Sequence, residues 1–287
     1  MLDAQQIEQF QRDGWTVVPD FLSRKEVSAF LEDMDNISRG STLQNHDKNH
    51  LEMEPQQEPG GTQVRRIYEP CTHYQRFREL SESPRLLDNI EQLIGPDIIF
   101  HYSKINMKPP RIGSVVEWHQ DISYYPLTNS DSLAVLLYLD DADASNGCLQ
   151  VISGRHNQPL MNHSREQVFL GKITEAVDES LAVPIEGRAG TAIFMHAMTP
   201  HASTTNTSMH ARRTLILSYH AADAFPIYFG EMTVKNELHS RLVRGEEPST
   251  PRFSIRPTPI PRYPGTIASL YQLQELSRSK TPIKSAM

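Results

Sequence analysis

The hydrophobic pattern of this chain changes period partway along, helical at first and strand-like after about residue 95. Asp3 can cap a short helix carrying Ile7 and Phe10 and stopped by Gly14, and Trp15 to Val18 then reads as a short strand. Ser23 with Glu26 forms a capping box, and the helix it opens repeats Val27, Phe30, Leu31 and Met34 at i, i+3, i+4 and i+7. Residues 38–62 turn polar, with His46, His50 and a Pro/Gly/Gln-rich stretch. They read as a long loop whose histidines are solvated. A further helix starts at Ser83-Pro84, carries Leu86, Leu87, Ile90, Leu93 and Ile94, and closes at Gly95.

Strand signals dominate from there. Period-2 alternation predicts a strand with Tyr102, Lys104 and Asn106 on one face and Ile99, Ile105 and Met107 on the other. Leu133 to Leu139 is an unbroken apolar run, which fits a strand buried on both faces. Asn146-Gly147 marks a tight turn, and Val183 with Ile185, the 191–195 run and the 213–219 run complete a barrel-like pattern. Six prolines between Pro248 and Pro264 predict an extended segment that wraps the surface or covers a pocket mouth. A short helix from Ile267 to Leu276 and a loose tail beyond Ser277 follow. The expectation is a mainly β protein with flanking helices. It forms one domain over 1–287, made of a helical buttress with its polar loop (1–95), a β core (96–221) and a proline-rich wrap and tail (222–287).

Composition narrows the function. A formal net charge of −7 argues against nucleic acid or an anionic membrane as partner. Cys71 and Cys148 are too few for a disulfide framework, no run approaches the ~18 apolar residues of a membrane span, and no secretory signal is evident. A cytoplasmic protein acting on a small molecule is expected. The pattern fixes no oligomeric state.

The chemistry lies in two short segments. Trp118-His119-Gln120-Asp121 carries two potential metal ligands at i and i+2, which a single strand end can point at one ion while Gln120 faces away. His201 follows the 191–195 strand as it runs into a loop and supplies a third. Two histidines and one carboxylate leave open coordination positions suited to non-haem Fe(II) and oxygen chemistry. Downstream, Arg212 or Arg213 could clamp a carboxylate through paired charge-assisted hydrogen bonds. The two point to opposite faces of one strand, and periodicity alone does not choose between them.

Taken in order, Ser103 to Pro110, Trp118 to Asp121 with Tyr124-Tyr125-Pro126, Asn146 to Leu149, Ser153 to His156, and His201 through Arg212 resemble the phytanoyl-CoA dioxygenase family. The likeness runs from about Asp3 to Ala221. It implies a double-stranded β-helix, the jelly-roll or cupin-like core, and Fe(II) with 2-oxoglutarate and O2 as co-substrates. On this resemblance His119, Asp121 and His201 are the metal ligands and Arg212 holds 2-oxoglutarate, with Ser203 as a second contact and Asn106 on its 1-carboxylate. A shorter match implies that Arg66 also touches the co-substrate. Lys104 falls on a substrate-contacting position of the ectoine hydroxylase branch, with Tyr102 on the same strand face, and Tyr124 and Tyr125 offer aromatic walls. Two positions depart from relatives: Leu136 stands where the phytanoyl-CoA enzyme has tryptophan, and Ala134 where the ectoine branch has serine.

The resulting expectation is a dioxygenase that hydroxylates or otherwise oxidises a small anionic or carboxylate-bearing molecule and releases succinate and CO2. Two other classes share the ligand set or fold: a zinc-dependent hydrolase or isomerase, and a non-catalytic 2-oxoglutarate-binding regulator.

Overall fold

The computed structural model describes residues 1–227, 238–254, 259–263 and 270–278. Helices α1 (Ala4–Asp13) and α2 (Arg24–Ser38) begin at the predicted cap, Asp3, and the predicted capping box at Ser23, and both prove to be capping boxes. Asp3 accepts from the Gln6 amide and Ser23 from that of Glu26, and in each box the Gln6 or Glu26 side chain returns to the cap backbone. Helices α3 (Pro70–His73), α4 (Gln75–Ser81) and α5 (Pro84–Ile94) follow.

Among the described residues the strands form two main sheets. The larger contains, in order, β1 (Trp15–Val18), β11 (Ala192–His196), β6 (Ser132–Tyr138), β13 (Arg212–Ala221), β4 (Ile98–Lys108), β3 (Val64–Tyr68) and β2 (Leu51–Met53), with β14 (Arg241–Arg244) also paired to β4. The smaller runs β10 (Ala182–Ile185), β7 (Leu149–Ile152), β12 (His201–Ser203) and β5 (Val116–His119). A short hairpin, β8 (Ser164–Arg165) and β9 (Val168–Phe169), stands apart.

Strand β6 shows why an unbroken apolar run belongs here. Leu133, Val135 and Leu137 join the core beneath the helices, whereas Ala134, Leu136 and Tyr138 join a second core with residues of the smaller sheet. Both faces are dry, so alternation between polar and apolar residues disappears. Burying each such leucine or valine contributes roughly 1.5–3 kcal/mol. Strand β13 divides in the same way, with Leu215, Leu217 and Tyr219 toward the helices.

Three strand expectations change. Phe100, not Ile99, shares the helix-side core with Ile105, because β4 carries an extra residue: Tyr219 pairs with Phe100 and Ser218 with Tyr102, leaving His101 between. A bulge of this kind reverses face parity, which strict alternation does not anticipate. The polar 38–62 stretch is not all loop, since Leu51–Met53 pairs with β3 and buries Leu51 and Met53. His201 opens a strand instead of lying in a loop. Elements of three residues leave no readable period.

The predicted C-terminal helix is present as α6 (Leu270–Arg278). Residues 264–269 and 279–287, where its expected start and the tail fall, lie outside the described residues. The described part of the proline-rich segment runs over the surface, where Ser254 donates to the Thr128 carbonyl and Arg252 pairs with Asp131 and Asp223. No described helix is long and apolar enough to cross a membrane.

Candidate metal centre and cavity

His119, Asp121 and His201 come together inside the barrel. His119 ends β5 and His201 begins β12, and the two are direct cross-strand partners with ring centroids 4.1 Å apart. Asp121 is not on the strand as expected. It opens a short 3₁₀ turn over Asp121–Ser123, and the extended Gln120 before it preserves the i, i+2 geometry. Asp121 Oδ1 lies 3.6 Å from His119 Nε2 and 3.7 Å from His201 Nε2, and one ligand atom from each residue fits within 4.8 Å. Among the described residues no other group of histidines, cysteines and carboxylates meets that test.

The hydrogen bonds behind the histidines select the metal-binding tautomer. His119 Nδ1 donates to the Glu117 carbonyl at 2.8 Å and His201 Nδ1 to the Thr199 carbonyl at 3.0 Å. A carbonyl only accepts, so the proton sits on Nδ1 and each Nε2 keeps its lone pair for a cation. Burial, with His119 alongside, pushes His201 down to about 3, so it is a neutral ligand. Burial opposes the charge on Asp121, but His201, His119 and Lys104 outweigh it and hold the carboxyl below its ordinary range. Two Nε2 atoms turned toward one carboxylate fit Fe(II).

Gln120, predicted only to face away, anchors the centre. It is fully buried, donates to the Met198 carbonyl at 2.6 Å, accepts from the Met161 amide at 2.9 Å, and its own amide donates to His163 Nε2.

The cavity beside the ligands is walled by Lys104, Asn106 and Lys108 of β4, by Ser203, and by Arg212 and Ile216 of β13. Ala134 and Leu136, the two departures from relatives, also line it, as do Tyr138 and Tyr271. Arg212 therefore faces the cavity, and Arg213 points outward into an ion pair with Asp140 at 2.6 Å. Arg212 is buried and forms no ion pair with any described residue. Its Nε and Nη2 donate to the Gly147 carbonyl, and Nη1 donates to Thr214 Oγ1 at 2.8 Å. Gly147 has φ +76°, and a Cβ there would collide with the Thr204 carbonyl, so only glycine brings this acceptor into place.

Lys108 was missed, though alternation from Lys104 and Asn106 leads straight to it. It is buried, donates to the Ser114 and Thr204 carbonyls, and is pushed well below the usual lysine range by burial and by neighbouring Arg212. The Arg212 guanidinium, without an ion-pair partner among the described residues, and the Lys108 amine thus stand together at one end of the cavity.

Lys104, half-buried, also projects into the cavity. Its ammonium has no hydrogen bond or ion pair among the described residues and lies 5.3 Å from the Tyr102 ring. Burial lowers it to about 8, a shift that Asp121 partly offsets. Arg66 does not reach the cavity wall; its Nε donates to Asn106 Oδ1 at 3.0 Å. Tyr102, Tyr124 and Tyr125 pack together with Phe169 and Leu127. The Tyr124 ring is 5.8 Å from His119, and its hydroxyl donates to the Gly171 carbonyl. The aromatic side chains on the cavity wall itself are Tyr138 and Tyr271, and no sequence period pointed to Tyr271.

Residues 10–214 match the model of the phytanoyl-CoA dioxygenase family. The chain is 30% identical over 272 residues to the probable alpha-ketoglutarate-dependent hypophosphite dioxygenase of Stutzerimonas stutzeri, covering 91% of this chain and 92% of that one. It is 24% identical over 241 residues to the ectoine dioxygenase of Bordetella parapertussis, covering 77% and 76%. The crystal structure of EctD from S. alaskensis with 2-oxoglutarate and 5-hydroxyectoine superposes with a TM-score of 0.64 at 25% identity, covering 77% of each chain. With its iron-type ligand triad seated in a jelly-roll core, the chain belongs to the phytanoyl-CoA dioxygenase family and is an Fe(II)- and 2-oxoglutarate-dependent dioxygenase.

Proposed function

We propose that this dioxygenase oxidises a small anionic molecule that Lys104 holds beside the metal. One observation carries the reading: a lysine ammonium projects into the metal cavity with no hydrogen bond or ion pair among the described residues, Asp121 and Glu69 acting on it only at longer range. A charge taken out of water and left unpaired is costly, so a site that keeps one is built for a ligand of opposite sign. The relative from Stutzerimonas stutzeri is described as acting on hypophosphite, itself a small oxyanion.

The chain's own groups divide the remaining work. Arg212 grips the distal carboxylate of 2-oxoglutarate, with the Lys108 amine beside it and Ser203 a further contact. Asn106 serves the 1-carboxylate. Leu136, Leu149, Met195 and Ile216 exclude water from the cavity, which strengthens each charged contact inside it. The metal, when bound with 2-oxoglutarate and O2, supplies oxidising power through oxidative decarboxylation to succinate and CO2. The free, buried Cys71 and Cys148 agree with a reducing cytoplasm as its location.

The reading is tested by a panel of small carboxylates, phosphonates and phosphorus oxyanions, with neutral and cationic compounds beside them, in the presence of Fe(II), ascorbate and 2-oxoglutarate. Succinate formation above the uncoupled background is expected with anions. Stimulation confined to neutral or cationic compounds would refute it.

The two arginines give a second test. Arg212→Ala should raise the KM for 2-oxoglutarate by more than about tenfold, since hydrogen bonds between charged groups are each worth roughly 1.5–3 kcal/mol. Arg213→Ala removes a partly exposed ion pair with Asp140 and should leave that KM within about twofold. The reverse ranking would move the clamp to Arg213.

A further inference from the structure

The barrel does not close its own cavity. Tyr271, on α6, is 1% exposed and lines the cavity together with Asn106 and Arg212, although α6 lies beyond the stretch matched by the family model, which ends at residue 214. The helix is tied to both sheets. Glu275 pairs with Arg65 of β3 at 3.0 Å, and Arg278 with Glu117 of β5 at 2.6 Å. Gln274 accepts from the Glu117 amide at 3.1 Å and donates to the Gly171 carbonyl at 2.8 Å.

Where α6 meets β3, the Tyr271 ring receives two guanidinium groups. Arg65 Cζ stands 3.9 Å and Arg66 Cζ 4.7 Å from its centroid, and Tyr68 offers Arg66 another ring at 5.6 Å. Arg66 is buried and its Nη2 has no hydrogen-bond partner, so the two ring contacts share with Glu52, its cross-strand neighbour, the work of holding the cation. Its Nε donates to Asn106 Oδ1. A guanidinium has donors only, so Asn106 must turn its oxygen toward Arg66, which leaves its NH2 group as the donor available to the cavity.

We propose that Tyr271 is a positioning residue for 2-oxoglutarate: its ring holds Arg66, Arg66 sets the orientation of the Asn106 amide, and α6 thereby completes the co-substrate site from outside the barrel. The proposal rests on the reading of Asn106 as a contact for the 1-carboxylate. Arg66 then acts through Asn106 and not by touching the co-substrate, and without the ring it gains rotameric freedom that binding must remove.

The test measures 2-oxoglutarate affinity anaerobically, through the charge-transfer absorption of the Fe(II) protein, with thermal unfolding of each metal-free variant as the folding control. Tyr271→Leu keeps an apolar side chain but removes the ring face, and should weaken 2-oxoglutarate binding at least about fivefold, within the roughly 30-fold that a desolvated cation–π contact could transmit. Tyr271→Phe restores the ring and should recover most of that loss. Arg66→Met should weaken binding similarly, and the double variant should be no weaker than the worse single variant, because both act through one amide. The KM for 2-oxoglutarate should rise while kcat at saturation is kept.

Unchanged affinity in Tyr271→Leu, a phenylalanine variant as poor as the leucine one, or additive losses in the double variant would each overturn the proposal. If Tyr271→Leu folds poorly, Tyr271→Met replaces it beside Arg66→Met: lost affinity in both supports the proposal and unchanged affinity in either overturns it. Asn106→Ala separates the two layers of argument. If it spares affinity, the reading of Asn106 fails and the positioning role with it; if it weakens binding while Tyr271→Leu does not, only the positioning role fails.

Discussion

Asp121→Ala is expected to abolish stoichiometric Fe(II) binding and to lower succinate formation by more than about 100-fold, a loss beyond the 10–100-fold that follows from removing a mere outer partner of a metal ligand. His119→Ala and His201→Ala should match it, since each leaves a three-ligand site with only two protein donors. The fold should survive in all three. Asp121 sits in a short turn outside the strand ladder, and the backbone pairing of His119 with His201 does not depend on the imidazoles. Iron content per chain, circular dichroism and succinate yield in one preparation make the check. Full turnover in Asp121→Ala would refute the triad.

The metal-ligating triad and the pair of arginines were readable because their chemistry recurs at short spacing on or beside strands. The His119 and Asp121 pair needs only one extended residue between its members, and Gln120 supplies it whether or not the strand continues. Arg212 and Arg213 were readable as a pair but not as a choice, because alternation assigns opposite faces without saying which face is the cavity. The ladder settles it by pairing Arg212 with Lys108 and aligning Leu215 and Leu217 with the helix-side core. The helices were legible for a different reason: the caps at Asp3 and Ser23 are local, each made with a residue three positions on.

What escaped the sequence is long-range or parity-breaking. His101 reverses the faces of β4 because its extra residue is accommodated against Ser218 and Tyr219, a fact held in the partner strand. Gln120 is satisfied by Met161 and Met198, distant in the chain. Tyr271 reaches the cavity only because α6 docks between β3 and β5, and no periodicity within 270–278 encodes that destination.

Lys104 bears on the substrate itself. Lys104→Met keeps the aliphatic stem and deletes the charge, so it should lower kcat/KM for an anionic substrate by more than tenfold, the minimum expected where removing one partner of a desolvated charge pair costs roughly 2–5 kcal/mol. Affinity for 2-oxoglutarate should be spared, because the groups proposed to hold its carboxylates are Arg212, Asn106 and Ser203, which line the cavity and do not include Lys104. Decarboxylation of 2-oxoglutarate without substrate should therefore persist in the variant. The two activities separate in one experiment: 2-oxoglutarate affinity is read anaerobically from the absorption of the Fe(II) complex, and coupled turnover is read beside it with the best anion from the panel. If affinity for 2-oxoglutarate collapses while turnover at saturating 2-oxoglutarate stays normal, Lys104 belongs to the co-substrate site. The Lys104 ammonium, without a hydrogen bond or ion pair among the described residues, would then be answered by 2-oxoglutarate, and a neutral substrate would suffice.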